Sequence, residues 1–262
     1  MVRGSQPKSS KGKCVNSATT QSHNGSTRPV QQVFTSRSGG VSLAPYESFN
    51  LGDHVGDDPE AVAKNRARLA RVLGLDPSQL VWMEQIHSNT VKVVVDKQQG
   101  PVPAADAIVT TTPGLALCVL VADCVPVLLC DVEAKVVAAV HAGRMGARNG
   151  IVRATVEKMR ELGAKPQSIH ALLGPAASGR HYEVPRAMAE DVEKHLPGSI
   201  TTTVKGTTGV DVRAGLVRQL LSLGINAIDA DPRCTIEDST FFSYRREGTT
   251  GRQAGVIWLT EQ

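Results

Sequence analysis

Three side chains in this 262-residue sequence have the chemistry of a transition-metal site: His87, Cys124 and His141. Each stands at the end of an apolar stretch. His87 follows Val81-Trp82-Met83-Glu84-Gln85-Ile86, Cys124 closes the run from Leu117 through Asp123, and His141 closes Val136-Val137-Ala138-Ala139-Val140. In layered α/β proteins the ends of strands and the adjoining loops form the ligand crevice. Gly143 and Gly146, just past His141, carry no Cβ and let backbone approach a ligand closely. Two imidazoles and a thiolate suit zinc at about 2.0–2.3 Å and leave a fourth position open for water or substrate. The same donors can hold copper, with metal availability deciding between them.

Spacing alone leaves other readings open, because no local ligand motif joins the three residues. Cys124 could be the nucleophile of a metal-free hydrolase with His141 as its base, or the chain could store a metal without turning anything over. Two carboxylates stand near the ligands in sequence, Asp123 and Glu84. Asp123 is a candidate catalytic group, either as a proton shuttle or as an acceptor that orients a metal-bound histidine. Cys118 and Cys130, inside apolar runs, read as core residues. Arg37 beside Gly39-Gly40 is the first candidate for an anion such as phosphate, and Arg245 with Arg246 is the second. Asn50 and His54, in a loop rich in Gly and Asp, could touch a sugar or base, or serve the turn itself.

The elements that would position these groups alternate between strand and helix. Strands are expected at Gln32–Arg37, Leu80–Met83, Val91–Val95, Ala107–Thr110, Ala116–Ala122, Pro126–Asp131, Val136–His141, Ile169–Leu173, Ala227–Asp229 and Ala254–Leu259. Residues 41–58 read as loop. A helix is expected over Pro59–Leu73, with proline in its first turn, Ala61, Val62, Asn65, Leu69 and Val72 near helical spacing, and Gly74 as terminator. Further helices fit Ile151–Leu162, Arg186–His195 and Asp211–Leu223. Strands apolar on both faces, interleaved with amphipathic helices, indicate one α/β (α+β) layered domain, a mixed sheet flanked by helices.

The formal charge of +4 is uneven. Residues 1–30 hold Arg3, Lys8, Lys11, Lys13 and Arg28 and no acid, so the remainder of the chain carries −1. That balance argues against a nucleic-acid groove on the folded part. The first thirty residues are rich in small polar types and are expected to be a disordered basic tail, with the folded domain over 31–262. No apolar run is long enough to span a membrane. Five cysteines, with no CxxC, do not form a disulfide framework, and a reducing cytoplasm is the simplest setting.

Several motifs occur in one order: Arg37–Ser42 (RSGGVS), Asn50–Leu69, Gln85–Val91 (QIHSNTV), Ala105–Thr110 (ADAIVT), Val121–Asp131 (VADCVPVLLCD), His141–Gly143 (HAG), Leu173–Pro175, Tyr182–Val184, Asp231–Thr235 (DPRCT) and Phe241–Ile257. Taken together, collinear from about residue 31 to the C-terminus, the chain resembles the bacterial YfiH-like laccase-domain family. That family is known as multicopper polyphenol oxidases and as purine nucleoside phosphorylases. The resemblance implies a layered α/β domain, of a fold like that of some cysteine deamidases, and a metal site at His87, Cys124 and His141. It also implies phosphorolysis of adenosine, inosine, guanosine and methylthioadenosine, with adenosine deamination as a side activity. The partners implied are purine nucleosides and phosphate. One departure is plain: the family continues HAGWRG, whereas this chain has Arg144-Met145-Gly146. Multicopper oxidation fits the residues poorly, since residues 31–262 hold six histidines and no His-x-His pair for a copper cluster. Slow phenol oxidation by a single copper remains an alternative.

Overall fold

A computed structural model describes residues 28–261; the expected tail lies mostly outside the described residues. Ten of its strands fall into two sheets. The first has the order β1 (Val30–Phe34), β12 (Gln253–Leu259), β5 (Ala116–Val121), β2 (Leu80–Val81). The second runs β11 (Ala227–Ala230), β8 (Ile169–Leu173), β6 (Val125–Asp131), β7 (Val136–Ala142), β4 (Ala107–Thr110), β3 (Val91–Val93). Both are mixed: β2 is parallel to β5, β3 to β4 and β8 to β11, while the remaining pairs are antiparallel.

The sheets pack face to face, and side-chain alternation divides each central strand between two cores. In β5, Leu117, Val119 and Val121 enter the layer between the sheets, where they meet Ile108, Leu128, Val137 and Ala139. Ala116, Cys118 and Leu120 point the other way, onto α1 (Pro59–Leu73) through Leu69 and Ala70. In β7, Val136, Ala138 and Val140 face the helical layer of α3 (Ile151–Glu161), α4 (Arg186–His195) and α5 (Val212–Ser222). The expected mixed sheet flanked by helices is therefore two sheets with helices outside both. Strands buried on both faces carry the same apolar pattern whether a sheet or a helix covers them.

Most elements lie within a residue or two of their expected bounds. β1 lies earlier, because its register is set by β12, from Val30 opposite Leu259 to Phe34 opposite Gly255. Val72 does not belong to the buried stripe of α1; it is exposed, and Ala70 takes that place. Two short helices, α2 (Arg144–Arg148) and α6 (Tyr244–Glu247), and the hairpin of β9 (Ile200–Thr202) with β10 (Thr208–Val210) complete the element order. Cys118 and Cys130 are buried core residues with free thiols, and burial pushes the Cys130 thiol up to about 11.

The 41–58 loop is tied to α1 by one buried residue. Asn65 accepts from the Val41 amide at 2.9 Å and donates to Ser42 Oγ, the Ser48 carbonyl and the Asn50 carbonyl at 3.0, 3.1 and 2.9 Å. Asn65→Ala strands these groups away from water, so we expect a loss of about 2–3 kcal/mol. Urea unfolding measures it, and a loss below about 0.5 kcal/mol would mean that water replaces the amide.

Candidate metal centre

Both chain segments that cross from the first sheet to the second carry one of the three residues. After β2, residues 82–90 lead to β3 and include His87; after β5, residues 122–124 lead straight into β6 and end on Cys124. His141 lies at the end of β7, opposite Pro126 in β6, on the same face as Val137 and Ala139. The three ligand atoms lie within 4.8 Å of one another. The imidazoles of His87 and His141 meet edge to face with centroids 4.7 Å apart. His141 is buried, Cys124 half-buried and His87 exposed, so the centre opens on one side.

Local hydrogen bonds hold the two crossings. Gln85 copies a strand: its side-chain amide donates to the Leu120 carbonyl at 2.7 Å and accepts from the Leu120 amide at 2.8 Å. The left-handed backbone of His87 (φ 59°) then turns its ring back toward Cys124. Asp106, fully buried, caps that turn by accepting from the amides of Ile86, His87 and Ser88 at 3.3, 3.0 and 2.7 Å. The same carboxylate meets His141 Nδ1 at 2.8 Å. With Nδ1 engaged, Nε2 is the nitrogen left for a metal.

Gly143 completes the cradle. A Cβ there would come within 2.9 Å of His87 Nδ1 and 3.0 Å of Cys124 Sγ, so no other residue fits without moving a ligand. Gly146 passes close to the Ser88 carbonyl for the same reason. This cradle, with two imidazoles and a thiol converging on it, fits a four-coordinate zinc or copper ion with one open position. Burial opposes charge on His141, but Cys124 and Asp106 outweigh it and raise its pKa to about 9. Burial also works against the Asp106 carboxylate, yet bonds from His141 and Ser88 hold it down to about 2. His87 is lowered, by desolvation first and by His141 second.

A cavity of about 370 Å³ opens beside Cys124. Ala122, Val125, Ala142 and Val212 give it apolar walls; Tyr182 and Tyr244 add phenols, and Arg144 and Arg245 add guanidinium groups. Asp123 is also in the wall, with left-handed backbone (φ 90°). It does not orient a histidine: Thr235 Oγ1 donates to one oxygen at 2.6 Å and the Arg245 amide to the other at 2.7 Å. The orienting role belongs to Asp106, and Glu84 instead accepts from the Ala104 amide.

The candidates for anion and sugar contacts need correcting. Arg37 is committed to the fold, with Nη1 on Glu247 at 2.7 Å, Nε on the Glu47 carbonyl and its plane over Phe242. Arg246 is spent on Glu247 and on backbone carbonyls that include Thr235 and Phe241. Asn50 is buried and has no donor or acceptor to spare: it bonds Gly52 twice, Asp57 and the Arg252 amide. His54 is exposed beside Asp53 at 3.6 Å and does not line the cavity. Arg245 does line it. Arg144, Tyr182 and Tyr244, which also line the cavity, and Asp106, which bonds His141, were not among the candidates, although all four lie in the motifs or the altered turn after His141.

Asp106→Asn leaves the shape but removes the charge that fixes His141 and His87. We expect zinc affinity to fall roughly 10–100-fold, read by competition with a chromogenic chelator. Unchanged affinity would show that the ligands hold their places without it.

Residues 31–260 match the family described as multi-copper polyphenol oxidoreductase laccase. The chain is 69% identical over 237 residues to a purine nucleoside phosphorylase of Corynebacterium glutamicum, covering 90% of this chain and 96% of that one. It is 55% identical over 230 residues to a purine nucleoside phosphorylase of Mycobacterium tuberculosis, covering 88% and 92%. Among solved structures, YlmD from Geobacillus stearothermophilus superposes with a TM-score of 0.83 at 33% identity, covering 89% of this chain and 93% of that one. With the match running through both sheets and every residue of the cradle, the chain belongs to this laccase-like family.

Proposed function

We propose that the protein is a zinc-dependent purine nucleoside phosphorylase acting on adenosine, inosine, guanosine and methylthioadenosine, with adenosine deamination as a side activity. The observation that carries this reading is a group of three candidate metal ligands, one of which, Cys124, also lines a cavity with apolar, aromatic and cationic walls. The names of the relatives supply the reaction class.

In phosphorolysis a phosphate oxygen forms a bond to the ribosyl carbon. The bond from that carbon to the purine nitrogen breaks, and its electron pair leaves with the purine, which takes up a proton. Positive charge builds on the sugar at the transition state, so placement and electrostatics matter more than a strong nucleophile. His87, Cys124 and His141 would hold a zinc ion, which would supply Lewis acidity. The protein's own part is to hold the reactants. Tyr182 and Tyr244 offer surfaces for a purine or sugar, and the Ala and Val walls add apolar contact. Asp123, anchored by Thr235 and the Arg245 amide, fixes the turn that presents Cys124.

A copper cluster has no support among the described residues. His170 pairs with Asp229, His195 with Asp191, His54 with Asp53, and His181 lies against Ser178 and Cys234, all outside the three-ligand group. One other reading has an observation in its favour. Cys124, His141 and Asp106 also stand in the order nucleophile, base and orienting acid, the arrangement of a metal-free cysteine hydrolase.

Incubation with inosine or adenosine, with and without phosphate, separates these readings by following ribose 1-phosphate, free base and ammonia. Phosphate-dependent release of base with ribose 1-phosphate is expected. Cys124→Ala and His141→Ala should each lose bound metal and more than ~100-fold in turnover. Protein free of stoichiometric metal that nevertheless turns over, and is stopped by a thiol alkylator, would select the hydrolase.

A further inference from the structure

We propose that Arg144 and Arg245 together form the binding site for a free phosphate dianion in the cavity beside Cys124. The proposal rests on the phosphorylase reading only for the choice of phosphate; the two cations stand on their own. Both line the cavity beside Cys124. Arg144 follows Gly143, the residue packed against His87 and Cys124. Arg245 lies on α6, where Asp123 holds its amide and its guanidinium rests 4.8 Å over the ring of Tyr182.

Among the described residues neither guanidinium has an ion-pair partner. Arg144 donates only to the thioether of Met145, at 3.3 Å, and Arg245 makes only its ring contact. Each guanidinium carries five N–H donors, so most are unspent. The acid in the cavity lining, Asp123, has both oxygens occupied by Thr235 and the Arg245 amide. Nearby arginines differ: Arg37 and Arg246 share Glu247, and Arg233 pairs with Asp231. A cavity that leaves two forked donors without a carboxylate is built for an anion from outside. A carboxylate is planar and satisfied by one fork, whereas a tetrahedral phosphate has oxygens enough for both guanidinium groups.

Calorimetric titration of the full-length, zinc-loaded chain with inorganic phosphate tests the assignment. Arg144→Ala and Arg245→Ala should each weaken phosphate binding by about tenfold or more, while Arg186→Ala, on a surface helix, should not. Arg144→Lys and Arg245→Lys keep the charge, remove the fork, and should lose less than the Ala variants. Circular dichroism verifies that each variant is folded. Retained phosphate binding in both Ala variants, with loss in Cys124→Ala, would place phosphate on the metal and overturn the proposal. Weaker binding of adenosine 5′-monophosphate with unchanged inorganic phosphate would assign the arginines to a phosphomonoester, and also overturn it. Phosphorolysis with an unchanged KM for phosphate in both variants removes the arginines and leaves the reaction standing. Arginine-dependent phosphate binding without any nucleoside turnover does the reverse.

Discussion

The candidate site depends on a buried pair, Asp106 and His141. One carboxylate oxygen meets the imidazole at 2.8 Å, and the two oxygens also accept three successive amides of the segment that carries His87. Two of the three metal-ligand candidates thus share one anchor. The anchor is itself fixed, because the Asp106 carbonyl accepts from the His141 amide at 2.7 Å and the Asp106 amide donates to Thr90. A charge so deeply buried is costly unless its bonds are complete. Here both oxygens are satisfied, and no atom of Asp106 is left without a partner.

Magnitudes show why so many bonds converge there. A non-glycine residue in the left-handed region costs about 1–2 kcal/mol, and His87 (φ 59°) and Asp123 (φ 90°) both adopt it. Each hydrogen bond to a charged group returns about 1.5–3 kcal/mol. Three amide bonds to Asp106 exceed the cost at His87. Thr235 and the Arg245 amide on Asp123 match or exceed it there. Of the four non-glycine residues with positive φ among the described residues, His87 is a candidate ligand and Asp123 precedes one; Ala104 and Lys135 lie elsewhere.

The candidate ligands were legible as a group because a strand pattern ends where its alternation of apolar residues ends. His87, Cys124 and His141 are polar groups at such ends, and the structure brings all three together. The bonds of Arg37 and Asn50 were not legible for the opposite reason: their partners lie far along the chain. The Glu247 partner of Arg37 is 210 residues away, and the Arg252 amide that occupies Asn50 is 202 residues away. Asp106 looked like any acid between two alanines until β7 was placed beside β4. The division into two sheets was hidden because β5 and β7 are apolar on both faces.

That division also explains why the site lies where it does. A chain crossing between two packed sheets must leave the ladder of one and enter that of the other, so its backbone needs partners outside those two ladders. Residues 122–124 make this crossing in three steps, and residues 82–90 make it in nine. The short crossing is stiff and presents Cys124 from a fixed turn. The longer one needs Gln85 and Asp106 to hold it. His141 needs no such help in its backbone, because it stands on a fully paired strand between β4 and β6. A rigid strand, a short turn and a braced loop therefore converge on one glycine, Gly143, whose missing side chain is the space the ligands share.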